Sequence, residues 1–460
     1  MHPTGSRVLR LVDIERAKDR LAITCSIDDL SFHISIWYQD VDFEVLTREY
    51  GELIDRLVFH IAMFQINEVA SLRPDAISLG KYAKYASPAF VELWRTVFKN
   101  VWAQWRWEHQ LPAYIPDFLD ANGTSAPPVV GPTGPVELLA FCGGGKDSLV
   151  ALKLLERAGL PFATLGYSHS IYGAAEPQHA LLDKVAERTA RVRAERQWII
   201  DDFLDAPIVK LRPELGVKSI TAAETPASVF AALPIALARG YRHLVLAHEA
   251  SANSGNLTWD ATGEEVNHQW GKSYQAERML DQYVRAELCD VGYWSVLQPI
   301  HDELIFELLS RDSALAPLTH SCNIAKPWCG TCAKCAYVWL QMSAHLAPEI
   351  VAATFPRDLG ELAANERWFR ELLGLAEHSP FECVGSPAEA RLALALLPSR
   401  GALLSRLAAE VGAIDIAAIA KPFLGVGSQH AMPEHVAKQV LPILEDAART
   451  AAARIASSAR

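Results

Sequence analysis

An α/β fold is predicted, with a central parallel sheet, an amino-terminal α+β domain and a helical carboxyl-terminal region. Short apolar runs alternate with helical stretches between Leu138 and Ala247, as a parallel sheet requires. Apolar and polar residues alternate from Leu30 to Tyr38, which marks a strand with one buried face. After Cys335 the pattern is helical to the end, apart from turn signals between His378 and Pro387.

The elements follow in order. Leu21–Ile27 and Leu30–Tyr38 read as a hairpin around Asp28-Asp29. From Ser87-Pro88, a cap and first-turn pair, a helix is expected to carry Phe90, Trp94, Phe98, Trp102 and Trp105 on one core-facing side. Residues 122–135, rich in Gly, Pro, Ser and Thr, read as a linker. Beyond it the expected strands are Leu138–Phe141, Phe162–Tyr167, Gln197–Ile200 and His243–Ala247. The expected helices are Ser148–Arg157, Gln178–Glu195 and Pro226–Arg239, the last started by Thr225-Pro226 and ended by Gly240. The expected domains are therefore residues 1–128, 129–345 and 346–460.

Composition narrows the classes of function. The chain has 460 residues, half of them hydrophobic and 21% charged, as in ordinary globular enzymes. A formal net charge of -11 argues against nucleic acid as a partner, because phosphate contacts need clustered Lys and Arg. No long apolar run and no signal-like apolar stretch at Met1 to Leu11 is present, so no membrane partner and a cytoplasmic location are expected. Nothing in the sequence speaks to oligomeric state.

The most informative segment is Gly143-Gly144-Gly145-Lys146-Asp147-Ser148, between a strand and a helix. Glycines let a backbone approach a ligand closely, and the start of the next helix offers free N-H groups to an anion. The P-loop pattern fails at Ala140 and Asp147, and the dinucleotide pattern ends wrongly on Ser148. A glycine-rich turn with no ligand is the plain alternative. The spelling that fits is S-G-G-x-D-S, and it resembles the pyrophosphate loop of the ATP pyrophosphatase superfamily with Gly143 in place of the first serine. Members of that superfamily split ATP between its alpha and beta phosphates.

A second cluster is Cys322, Cys329, Cys332 and Cys335, whose spacing supplies four thiolates to one metal ion. Structural Zn is the first reading and an iron-sulfur cluster the second. A third concentration of polar groups runs from His248 to Asn256 and from Asn267 to Ser273, after an expected buried strand. Packing alone hardly explains so many polar groups, although an ordinary polar loop with a helix cap at Ser273 is the plain alternative for the second stretch.

Taken in order, the glycine loop, Glu249 to Asn253, Asn267-His268-Gln269 with Lys272-Ser273, and Trp328 to Cys335 resemble the ATP-dependent UDP-N-acetylmuramoyl-L-alanyl-L-glutamate epimerase family, MurL. The resemblance implies a HUP-like pyrophosphate-loop domain and the cofactors ATP, Mg2+ and structural Zn. The implied substrate is a UDP-MurNAc dipeptide, whose terminal L-Glu becomes D-Glu for peptidoglycan while AMP and diphosphate leave. Removing the alpha hydrogen beside a free carboxylate would create a dianion. Adenylation converts the carboxylate to a neutral mixed anhydride and removes that obstacle.

By the same resemblance, Gly143, Gly144 and Gly145 cradle pyrophosphate, Ser148 hydrogen-bonds it, Lys146 neutralises it and Asp147 holds Mg2+. His268, Lys272 and Glu249 are candidates for proton transfer, with Cys142 behind them, and Asn253, Asn267 and Gln269 for substrate binding. Two other functions share these motifs: an amide- or nitrile-forming ligase resembling 7-cyano-7-deazaguanine synthase, and a non-catalytic nucleotide- or metal-binding protein.

Overall fold

A ten-stranded sheet organises residues 7–458, the part of the chain described by this computed structural model. Its strands begin with β1 (Val8–Arg16), β2 (Arg20–Ile27), β3 (Leu30–Tyr38), β4 (Ala76–Ser78) and β5 (Asp117–Phe118). Then follow β6 (Leu138–Phe141), β7 (Phe162–His169), β8 (Arg193–Asp201) and β9 (His243–Leu246). β10 (Leu257–Trp259) and β11 (Glu264–Val266) make a separate ribbon, and β12 (Gly292–Ser295) returns to the main sheet.

The order is β12-β9-β6-β7-β8-β3-β2-β1-β4-β5. From β12 to β8 every pairing is parallel, whereas β8, β3, β2 and β1 are joined antiparallel. The expected hairpin is present with β1 as an additional strand. It does not stand alone: β3 pairs with β8 from Ile34 to Tyr38, which covers an edge that would otherwise be open.

The fold is thus mixed α/β with a large, mostly parallel sheet and many helices. Three local expectations need correction. The helix expected from Gln178 to Glu195 runs only over Ala175–Ala186, and β8 starts at Arg193. Charged residues in a period-two run disguised that strand. Glu195 is buried, bound by Arg193 Nε at 2.8 Å and by the Tyr241 hydroxyl at 2.8 Å. The helix expected from Pro226 begins at Glu224, with Ala223 rather than Thr225 as its cap. The aromatic helix stops at Asn100, and a second short helix, Ala103–Glu108, carries Trp105. All five rings of the stripe are nevertheless buried.

β6 is buried along its whole length, as a parallel strand covered on both faces should be. Leu139 and Phe141 face one core, built with helices 52–66, 224–239 and 274–287. Leu138 and Ala140 face the other, built with helices 146–157, 302–310, 333–345 and 434–458. Each fully buried leucine contributes about 1.5–3 kcal/mol to this three-layer packing.

In the parallel half, the earliest strand, β6, lies between β7 and β9, so the connections leave it in opposite directions. Such a reversal opens a crevice at the carboxyl ends of the two strands. Both the glycine loop and the segment after β9 emerge there. Among the described residues no helix is long and apolar enough to cross a membrane.

Candidate active site

The glycine loop is shaped by what presses on it. Gly144 has a φ of +76°, and a β-carbon there would lie 2.0 Å from the His320 ring. A β-carbon on Gly145 would meet Ser321 Oγ at 2.6 Å. The His320 N-H donates to the Gly144 carbonyl at 2.8 Å, locking the two segments together. Gly143 is less confined. A β-carbon there meets only Ser148 Oγ, at 3.8 Å, so the superfamily's serine would fit. The Gly143 N-H already donates to Ser148 Oγ at 3.0 Å.

Helix 146–157 starts at Gly145 without a side-chain cap. Its first N-H groups and positive dipole end are therefore available to an anion.

Lys146 is buried, with its Nζ 2.5 Å from Asp147 and 2.5 Å from Asp302. Burial opposes its charge, but Asp147, Asp302 and Glu249 outweigh burial and raise its pKa. Tyr337 donates to Asp302 Oδ2 at 2.7 Å, and Glu389 accepts the Asp302 N-H at 3.1 Å. Glu249 lies in this field of carboxylates. Burial first, then Asp302 and Asp147, push it up to about 8. Asp147 is also opposed by burial, yet Lys146, Lys334 and Lys272 hold it below the usual carboxylate range.

A cavity of about 340 Å³ occupies the crevice. Gly143, Gly145, Asp147 and Ser148 of the glycine loop line it, together with His248 and Lys272. His320, Lys326, Lys334 and Cys383 also belong to the lining. Gln65, Asn67 and Glu68, at the end of helix 52–66, line the far end. Burial and then Lys272 push His248 down to about 3, so this imidazole is neutral.

The residues singled out by sequence divide into three groups. Gly143, Gly145, Asp147, Ser148 and Lys272 line the cavity together. Gly144, under the His320 ring, and Lys146 and Glu249, in the buried network behind the loop, are not part of that lining. The third group ties loops together. Asn253 donates to the Ala250 carbonyl at 2.9 Å and accepts the Tyr274 N-H at 2.7 Å. Asn267 donates to the Ala252 carbonyl at 2.9 Å, and Gln269 to the Val384 carbonyl at 2.9 Å. His268 is exposed, with its Nδ1 2.6 Å from Gln104 Oε1.

The four clustered cysteines converge, with their sulfurs all within 4.8 Å of one another. Cys322 and Cys332 are 3.8 Å apart, as are Cys329 and Cys335. A tetrahedral Zn with bonds of about 2.3 Å spaces its sulfurs about 3.8 Å apart, so the set fits that ion. Backbone N-H groups of Ile324 and Ala325 donate to Cys322 Sγ, and that of Gly330 to Cys335 Sγ, as suits thiolates. Cys332 also caps helix 333–345. The knuckle thereby fixes Lys334 on the cavity wall.

Sequence reasoning missed Asp302, His320, Lys334 and Cys383 as members of this site. Lys334 carried a signal, since it lies inside the cysteine motif, and Cys383 lies among turn residues that interrupt a helical tail. Asp302 and His320 carried none.

The MurL N-terminal domain matches residues 219–296, and the MurL C-terminal domain matches residues 318–406. A UDP-N-acetyl-alpha-D-muramoyl-L-alanyl-L-glutamate epimerase of Micromonospora is 30% identical over 318 residues, 65% of this chain and 66% of the relative. The enzyme of that name from Salinispora tropica is 30% identical, covering 67% of this chain and 66% of the relative. The one from Xanthomonas oryzae pv. oryzae is 29% identical, covering 61% and 60%. These matches support membership of the MurL family.

The alignments span just under two thirds of the length of these relatives. The MurL C-terminal match contains the cysteine knuckle, His320, Lys334 and Cys383, and the N-terminal match contains His248, Glu249 and Lys272. The glycine loop lies outside both domain matches, so it rests on its own geometry.

Proposed function

We propose that this chain uses ATP to epimerise the terminal L-Glu of UDP-MurNAc-L-Ala-L-Glu to D-Glu, through an acyl-adenylate and with release of AMP and diphosphate. The observation that carries the reading is a glycine loop at the sheet's reversal point, opening onto the same cavity as Lys272, Lys326 and Lys334. The names of the relatives support the substrate and the epimerisation.

The free N-H groups at the start of helix 146–157 and the Ser148 hydroxyl receive the pyrophosphate, and the three lysines balance its charge. Asp147 faces the cavity as the carboxylate that would hold Mg2+, which spreads phosphate charge when bound. Lys146 positions Asp147 from behind. The four cysteines would hold Zn, which when bound would keep Lys334 in the cavity lining without entering the chemistry. Residues 129–345 form the catalytic domain, residues 1–128 contribute the far end of the cavity, and residues 346–460 contribute the closing segment.

The experiment incubates purified protein with ATP and UDP-MurNAc-L-Ala-L-Glu, then reads nucleotide products and glutamate chirality. AMP and D-Glu are expected. Formation of ADP, or inversion without ATP, contradicts the reading.

A further inference from the structure

Adenylation gives no task to Cys383, a nucleophile in the cavity wall. Cys383 belongs to a turn between helix 366–372 and helix 387–396, and several elements draw that turn over the cavity. Asn256 Nδ2 donates to the Pro380 carbonyl at 2.7 Å, and Asn323 Nδ2 to Glu382 Oε2 at 3.0 Å. Gln269 holds Val384, and Lys334 Nζ donates to the Cys383 carbonyl. The sulfur itself receives Lys272 Nζ at 2.8 Å.

We infer that Cys383 is the base that removes the alpha hydrogen of the activated glutamate, with Lys272 holding its sulfur as a thiolate on the cavity wall. This rests on the epimerase reading proposed for the same cavity. The sulfur lone pair takes the alpha hydrogen as a proton, an S-H bond forms, and the C-H electron pair moves into the acyl carbonyl. Water returns a proton to the opposite face, the thiol later releases its own to solvent, and no electron is gained or lost. Hydrolysis of the anhydride then frees AMP.

The neighbours favour this assignment. Burial opposes the thiolate, but Lys272, His268 and Lys334 hold the Cys383 thiol well below its usual range. The adjoining Glu382 carboxyl is itself pushed up, by burial first and then by Cys383. The other candidates are less suited. Burial pushes Cys142, in the same cavity, up to about 11, which keeps it a neutral thiol. Lys272 is an ammonium, because Cys383, Glu249 and Asp147 outweigh its burial. His248, at about 3, is too weak a base.

The test compares wild type with Cys383→Ala and Cys383→Ser in D2O, with ATP and UDP-MurNAc-L-Ala-L-Glu, reading AMP and deuterium at the glutamate alpha carbon. Wild type releases AMP and incorporates deuterium. The variants still release AMP, while deuterium entry falls about 10²- to 10⁴-fold. Wild-type exchange in either folded variant overturns the role of Cys383 and leaves the epimerase reading standing. Absence of AMP with wild type overturns both.

Should both variants misfold by circular dichroism, wild-type protein is alkylated with iodoacetamide at pH 6.5 and mapped by mass spectrometry. Cys383 is expected to react faster than Cys142 and to be shielded by ATP plus the dipeptide. Equal or slower labelling than Cys142 overturns the inference.

Discussion

Two walls of one cavity are built in opposite ways. The loop wall, residues 143–148, is a contiguous motif in which every functional group is a neighbour in sequence. The closing wall joins Lys272, Lys334 and Cys383, drawn from three distant segments by lysine side-chain hydrogen bonds and the cysteine knuckle. Glycine geometry sets the first and charge sets the second. The lesson is that anion binding can be written into a short motif, whereas activation of a sulfur depends on tertiary structure.

The largest effect separates the loop's anchor from its working face. Asp147→Ala should lower AMP release by about 10²- to 10³-fold with only a modest loss of stability, since Lys146 keeps Asp302 as its partner. Lys146→Ala should lose similar activity and also about 3–5 kcal/mol of stability, because Asp147 and Asp302 are left buried without their cation. Urea unfolding monitored by tryptophan fluorescence distinguishes them. Equal stabilities would dissolve the distinction between anchor and face.

A smaller effect probes how tightly the loop wall is shaped. Gly144→Ala should cost about 1–3 kcal/mol in strain and roughly tenfold or more in activity, because the new methyl group meets the His320 ring and φ is positive. Gly143→Ser, which restores the superfamily's residue into open space, should stay within about threefold of wild type. Steady-state AMP release measures both. Equal tolerance at the two positions would mean that His320 does not set the loop.

The smallest effect concerns the buried network behind the loop. Glu249 has a folded pKa raised from 4.5 to about 8, so the folded protein holds a proton that the unfolded chain releases. Its contribution is complete below pH 4.5 and is lost as pH rises towards and through 8. Glu249→Gln keeps the neutral form at every pH, so its thermal midpoint should fall less than that of wild type between pH 5 and 9. Parallel curves would place the titration elsewhere.

Much of the fold was legible because its physics is local. The alternation in β3, the buried run of β6 and the helix after Gly145 each follow from periodicity and flanking glycine. β8 was partly hidden, since Glu195 occupies a core position where Arg193 and Tyr241 both reach its Oε1. The site shows the same division. The loop and the cysteine knuckle could be read from spacing, and both are compact in space. Asp302, His320 and Cys383 could not, because their place in the site comes from which helix ends and turns pack beside β6. Lys146 was recognised in sequence, but only the structure reveals that two carboxylates hold it behind the cavity.

The most direct measurement follows one reaction of wild-type protein with ATP and UDP-MurNAc-L-Ala-L-Glu in D2O, counting AMP, D-Glu and alpha-deuterium together. All three are expected to appear, and none when ATP is omitted. Deuterated D-Glu formed without ATP, or with ADP as the nucleotide product, would contradict it.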